Sequence, residues 1–319
     1  MTKDLFIALT ILLFTAGSVS AKTTADLSLT GIGARPLGMG KAFTAISGGS
    51  NTMSFNPAGI GFVSAFEITT MQTKILNTSD YKMYGGVLAT NIGNFGINYV
   101  NVLSPAGYVT TDRNSLATAQ SMAYTGSTFI FSFGQNMSRL MKISPNMGNL
   151  AIGANIKIVR NFMSGITNGN GTGVDGDLGL LLMTPNNFNF GVSLQNYMRG
   201  NIAWESGTKD KLPSIFRAGI SYKINKPNIL FAMDAENYAE DNKPMLLHTG
   251  VEWHTSDYLV IRFGIDQCAI NTINTINNMT YGVGLKLFGV TFDYAFRENG
   301  QQADASAHYL SLSFSPEKP

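Results

Sequence analysis

One cysteine, Cys268, three histidines and two tryptophans occur in 319 residues, and only 13% of the chain is charged. A single thiol excludes an intrachain disulfide framework, and so few histidines and cysteines leave little for a metal centre or a nucleophilic catalyst. The formal charge of +2 points neither to nucleic acid nor to an anionic surface as partner. After residue 21 no apolar run is long enough to cross a membrane as a helix. There is no phosphate-cradling glycine loop ending in lysine and a hydroxyl, and no carboxylate pair in a definable cleft. His248, Glu252 and His254 share one strand face, but their spacing is not that of a metal site and the face reads as polar residues satisfying one another. Asn168 to Asp177 has the look of a calcium loop but lacks its ligand spacing and closing glutamate, and reads as a turn entering a strand. These absences predict a protein that is not an enzyme, with no catalytic residue, no bound metal and no cofactor.

Residues 1–21 have the parts of a signal peptide: Lys3 in a short polar start, an apolar run from Leu5 to Ala16, and Val19-Ser20-Ala21 before the expected cleavage site. Beyond it the chain is rich in asparagine, glycine, serine and threonine, a mixture poor for helices and good for turns and strands. Period-two alternation predicts fourteen strands, near 64–73, 81–91, 94–103, 126–135, 149–160, 173–184, 188–197, 214–224, 228–238, 246–255, 258–267, 279–287, 289–297 and 306–314. In the fifth, Leu150, Ile152, Ala154, Ile156 and Ile158 line one face; Ala151, Gly153, Asn155, Lys157 and Val159 line the other.

Alternation of this kind fits a soluble sandwich, with the charges in water, and equally a membrane barrel, with the apolar face in lipid and the charges inside. Connection lengths favour the barrel. Ile92-Gly93, Pro185-Asn186-Asn187, Asn225-Lys226-Pro227, Ser256-Asp257 and the vicinity of Phe288 are tight, whereas Ser104 to Thr125, Asn161 to Thr172 and Met198 to Pro213 are long. Short turns at one rim and long loops at the other belong to outer-membrane barrels. The connection from Asn136 to Gly148 breaks the rule and is expected to contain a short helix. An even strand count returns the C-terminus to the rim where the first strand starts, and closure leaves no unpaired edge in lipid. The barrel reading places Lys157, Asp177, Arg217, Asp234, Glu252, Arg262, Asp293 and Arg297 in the lumen.

Residues Gly33 to Gly61, GARPLGMGKAFTAISGGSNTMSFNPAGIG, are too rich in glycine for a regular element and too apolar for a linker. Gly38 and Gly40 permit close approach to neighbouring chain, and Phe43 belongs to a small apolar patch with Ala42, Ala45 and Ile46. Ser50 or Asn51 is expected to cap a short helix that stops before Pro57, with a turn at Ala58-Gly59 leading into the first strand. The segment either covers the barrel mouth or plugs the lumen.

GARPLGMGKAFTAISGG followed by SFNPAGIG resembles the N-terminal signature of the bacterial outer-membrane superfamily that includes the FadL-type long-chain fatty-acid transporters and the PorV/PorQ proteins. The compact length is more similar to the PorV/PorQ branch, and HYLSLSF looks like a family-style last strand. The resemblance implies an all-β, fourteen-stranded antiparallel transmembrane barrel, residues 64–315, in the outer membrane of a Gram-negative-type envelope. Residues 22–63 would then form a hatch or plug, with Gly38, Gly40, Phe43, Asn56, Pro57 and Ala58 at its matching positions. It further implies transport of hydrophobic small molecules such as fatty acids, with the hatch as gate, or, in the PorV manner, a partnership with secretion-system proteins. Outer-membrane lipids and the barrel-assembly machinery are the remaining expected partners. Two departures stand out. Gly48-Gly49-Ser50-Asn51 replaces an acidic pair found in relatives, and Ser315 to Pro319 follows Phe314 where many barrels end on an aromatic residue.

Overall fold

The computed structural model describes residues 31–75, 78–109, 120–138, 145–239, 243–300 and 306–316. The leader expected at 1–21 lies outside them. Among the described residues sixteen strands are formed. They are β1 (Phe66–Ile75), β2 (Ser79–Thr90), β3 (Gly93–Val109), β4 (Gln120–Asn136), β5 (Asn149–Met163), β6 (Asn170–Met183), β7 (Phe188–Gln195) and β8 (Asn201–Trp204). Then follow β9 (Lys209–Lys211), β10 (Ile215–Ile224), β11 (Ile229–Tyr238), β12 (Leu246–His254), β13 (Leu259–Ala269), β14 (Thr275–Leu287), β15 (Val290–Arg297) and β16 (Ala307–Phe314).

Neighbours pair antiparallel in chain order from β1 to β7, β7 pairs with β10, the order resumes to β16, and β16 pairs with β1. β8 and β9 stand outside this ring as a hairpin attached to β6 at Gly171 and Thr172. The remaining fourteen strands form a closed barrel. Its closure gives every wall strand two ladders and removes the edges that lipid would leave unsatisfied.

Burial decides between sandwich and barrel. On β5, Ile156 is 58% exposed while its neighbour Lys157 is 1% exposed, the reverse of what a sandwich in water would show. The same inversion recurs on β13, where Phe263 is exposed and Arg262 and Asp266 are buried. The sandwich alternative therefore fails: the apolar face is the outside of the barrel. Cross-strand aromatic pairs such as Phe95–Phe133 and Phe188–Tyr222, with ring centroids 5.2 and 4.4 Å apart, lie on this outer face.

Turn chemistry explains the short rim. Phe288 and Gly289, both at positive φ, form the two-residue link between β14 and β15, a geometry that matches strand twist. Two expectations are corrected, and a third falls largely outside the described residues. β3 and β4 continue well into the span 104–125, with a register shift between Ser104 and Gly107, because alternation hidden by Pro105 and Gly107 survives as a bulge. The span 198–213 holds the β8–β9 hairpin, and the helix expected between 136 and 148 is, among the described residues, one 3-10 turn at Pro145–Met147.

Residues 31–63 lie inside the ring. A short helix, α1 (Ala34–Gly38), is followed by 3-10 turns at Ser50–Ser54 and Pro57–Phe62. Ile32, Ala34 and Leu37 pack with Met71, Tyr81 and Met83 of the wall, and Met39, Phe43, Ile46 and Phe55 pack with Ala232. The apolar core is thus the contact between this segment and the inward wall.

Candidate functional site

The wall meets the N-terminal segment along a belt of inward glycines. Gly134, Gly153 and Gly179 pair in one row across β4, β5 and β6; Gly191 pairs with Gly219, and Gly250 with Gly264. At these positions the wall has no side chain, and the backbone of the segment takes the space. A Cβ at Gly153 would overlap the Pro57 carbonyl and the Ala58 amide; at Gly134 it would reach Gly61 N at 2.9 Å, and at Gly250 Met39 Cβ at 2.8 Å. Gly38 lies against Gly282, with 3.2 Å between its added Cβ and the Gly282 Cα. Gly40 sits at φ 61 with Ile265 O 2.5 Å and Thr249 O 2.6 Å from where a Cβ would be, so both conformation and space require glycine there.

Inward amide side chains satisfy the backbone that this irregular segment leaves open. Asn155 Nδ2 donates to Met53 O at 2.8 Å, Gln195 Nε2 to Ser54 O at 2.6 Å, Asn98 Nδ2 to Ser50 O at 3.0 Å and Asn94 Nδ2 to Ile60 O at 2.6 Å. Asn56 does the same from within the segment. Fully buried, it donates to Thr44 O and to Leu180 O of the wall, both at 2.8 Å, and its Oδ1 accepts from Ala58 N at 3.1 Å. It caps the 3-10 turn that begins at Pro57, where a plain turn at Ala58-Gly59 was expected. The expected cap by Ser50 or Asn51 is also corrected. Gly49 holds the N-cap position, and the Glu67 carboxylate of β1 accepts from Ser50 N at 2.9 Å and occupies the space of a Gly49 side chain.

Charges form one cluster on β10 to β15. Glu252 accepts from Arg35 of α1 at 2.7 Å and from Arg262 at 2.7 Å, and Arg262 reaches Asp293 at 2.7 Å. Asp266 is 3.6 Å from Lys41 and 2.6 Å from Arg297. His248 lies 3.2 Å from Asp266 and 3.4 Å from Glu236, off-line for hydrogen bonds, and Glu236 pairs with Arg217. Asp234 accepts from the amides of Phe43 and Thr44, each at 2.8 Å. Burial disfavours the Lys41 ammonium, yet Asp266, Cys268 and Glu236 together outweigh it and raise its pKa above the ordinary value; Glu252, with Asp293 and Glu67, does the same for Arg35. Across the lumen Lys157 pairs with Asp177 at 2.8 Å.

The structure thus places Lys157, Asp177, Arg217, Asp234, Glu252, Arg262, Asp293 and Arg297 on the inward face. It brings all but Lys157 and Asp177 into the one cluster. Phe43 packs against Phe55 with the rings tilted, 5.6 Å between centroids, and lies under the Arg35 guanidinium. His254 reaches Glu252, which is already held by Arg35 and Arg262, and among the described residues no group of His, Cys, Asp and Glu has the geometry to hold a metal. Asn170 to Asp177 is ladder in β6, not a loop. There Asp175 accepts from the amides of Gly176, Met198 and Gly200. Asn155 was expected on the polar face of its strand, but Asn94, Asn98 and Gln195 were not singled out; the placement of Asn94 and Asn98 opposite Gly134 and Gly85 appears only once the strands pair.

No protein-family model matches the chain, and no curated protein matches it in sequence. Solved structures do match. The chain is similar to the toluene transporter TbuX of Ralstonia pickettii, at TM-score 0.62 and 14% identity over 91% of this chain and 99% of that one. It is similar to the toluene transporter TodX of P. putida, at TM-score 0.61 and 11% identity over 92% and 100%. A FadL homologue of Pseudomonas aeruginosa aligns at TM-score 0.51 and 12% identity over 94% and 99%. The chain therefore has the fold of the FadL-type outer-membrane channels and is itself an outer-membrane barrel.

Proposed function

We propose that this barrel passes hydrophobic small molecules through the outer membrane, with residues 31–63 as the hatch that closes the lumen. The observation that carries the reading is the likeness in fold, over nearly the whole of each chain, to barrels described as toluene transporters. Supporting it, the N-terminal segment is a separable piece: it forms no ladder with the wall and is held by contacts that can be broken without breaking a strand. The experiment is uptake of labelled toluene by cells stripped of their own hydrocarbon barrels. Uptake should rise when the protein is expressed, and no rise would sink the reading.

One observation favours a second reading, a barrel that serves protein secretion in the PorV manner. The segment fits the glycine belt so closely that a Cβ at Gly153, Gly134 or Gly250 would overlap it, a tight seat that suits a closed barrel. That reading predicts no uptake of toluene and stable co-purification with components of a secretion complex.

A further inference from the structure

The wall does not balance its own charge. Around β10 to β15 the buried carboxylates Asp234, Glu236, Glu252, Asp266 and Asp293 outnumber Arg217, Arg262, Arg297 and the half-buried Lys286 by one. On the other wall strands Asp175 and Asp177 are buried beside Lys157, and the half-buried Glu67 adds a further carboxylate, an excess of two among these four residues. Counted on those residues, His248 left aside, the inward wall carries −3. Residues 31–63 contain Arg35 and Lys41 and no acidic residue, and these two cations sit on Glu252 and Asp266. The hatch is the counter-ion of the wall. When it moves, its two charges leave with it and the lumen is exposed at its most negative.

We propose that the opened lumen admits neutral and cationic hydrophobic molecules and excludes those bearing a carboxylate. The preference rests on the transport reading above. A cleft lined by one sign of charge between low-dielectric walls concentrates ions of opposite sign and repels its own. A neutral hydrocarbon is unaffected. The inward arginines do not offset this repulsion for a carboxylate, because Arg217, Arg262 and Arg297 are each committed to a wall carboxylate, and Lys157 is held by Asp177.

Two measurements test this on the full chain. In cells without other hydrocarbon barrels, expression should raise uptake of decanol over that of decanoate by about tenfold or more. Equal or greater uptake of decanoate would overturn the preference, and uptake of neither would overturn the transport reading on which it rests. In planar bilayers, the variant Arg35→Gln/Lys41→Gln, and the milder Lys41→Gln alone, should open more often in a potassium chloride gradient. Their reversal potential should move toward the potassium equilibrium value; a move toward the chloride value would overturn the charge argument whatever the uptake result.

Discussion

Replacing Asn56 by aspartate changes one NH2 group to oxygen at almost constant volume, so packing is preserved while hydrogen bonding is not. Asn56 gives one hydrogen to Thr44 O and one to Leu180 O, each at 2.8 Å, in a site with no exposure. Asn56→Asp strips both carbonyls of their donor and sets a carboxylate oxygen beside them, while the bond from Ala58 N survives. A buried group left unpaired costs about 1–3 kcal/mol, so the two carbonyls together put the loss at about 2–6 kcal/mol. The strands keep their ladders, so the loss falls on the seating of residues 31–63. At about 1.4 kcal/mol per factor of ten, local opening becomes at least about thirtyfold more frequent. Chymotrypsin cleavage after Phe43 and Phe55, followed by mass spectrometry, reads that opening, and the heat-modifiable migration of the barrel on gels reports the wall. Asn56→Asp should be cut at least thirtyfold faster than the parent, by the same estimate, with barrel migration unchanged. Equal cleavage rates would refute the reasoning, since nothing else in the substitution offsets two lost donors.

Gly153→Val forces a side chain onto the Pro57 carbonyl and Ala58 amide; seating should weaken by about 1–3 kcal/mol, seen as faster chymotrypsin cleavage, while Ala154→Val on the lipid face leaves it unchanged. Ile156→Arg puts a charge on the outward face, where Ile156 is 58% exposed, and should destabilise the barrel in vesicles by about 2–4 kcal/mol if that level lies near the midplane, read by urea titration. Arg262→Met leaves Asp293 without its guanidinium partner and Glu252 with Arg35 alone among arginines, for a loss of about 3–5 kcal/mol. Arg262→Met/Asp293→Asn should recover much of it in the same titration.

The alternation of Ile152, Ala154, Ile156 and Ile158 against Asn155 and Lys157 was legible because a barrel strand meets two solvents, lipid and lumen, and records both. Periodicity alone did not say which solvent lay on which side, since a sandwich writes the same pattern with its faces exchanged; the alternation of tight and long connections did. Strand ends at β3 and β4 were hidden because Pro105 and Gly107 break the period while the ladder continues through a bulge. The lumen charges were legible as inward residues, but not their partners. Arg35 and Glu252 are 217 residues apart and meet only because α1 lies across the closed ring. The glycine belt escaped for a similar reason: Gly134, Gly153 and Gly179 read as weak points within strands until pairing sets them side by side.

The central claim is that residues 31–63 must leave their seat for a hydrophobic molecule to pass. A Cβ at Gly38 would stand 3.5 Å from that of Ala295, at the near edge of the roughly 3.5–4.5 Å range of disulfides. With Cys268→Ser removing the native thiol, Gly38→Cys/Ala295→Cys can therefore tie the hatch to β15. Toluene uptake measured on the fully oxidised and the reduced forms is the direct test. The account predicts uptake abolished by oxidation and restored by reduction; undiminished uptake through the fully cross-linked barrel would contradict it.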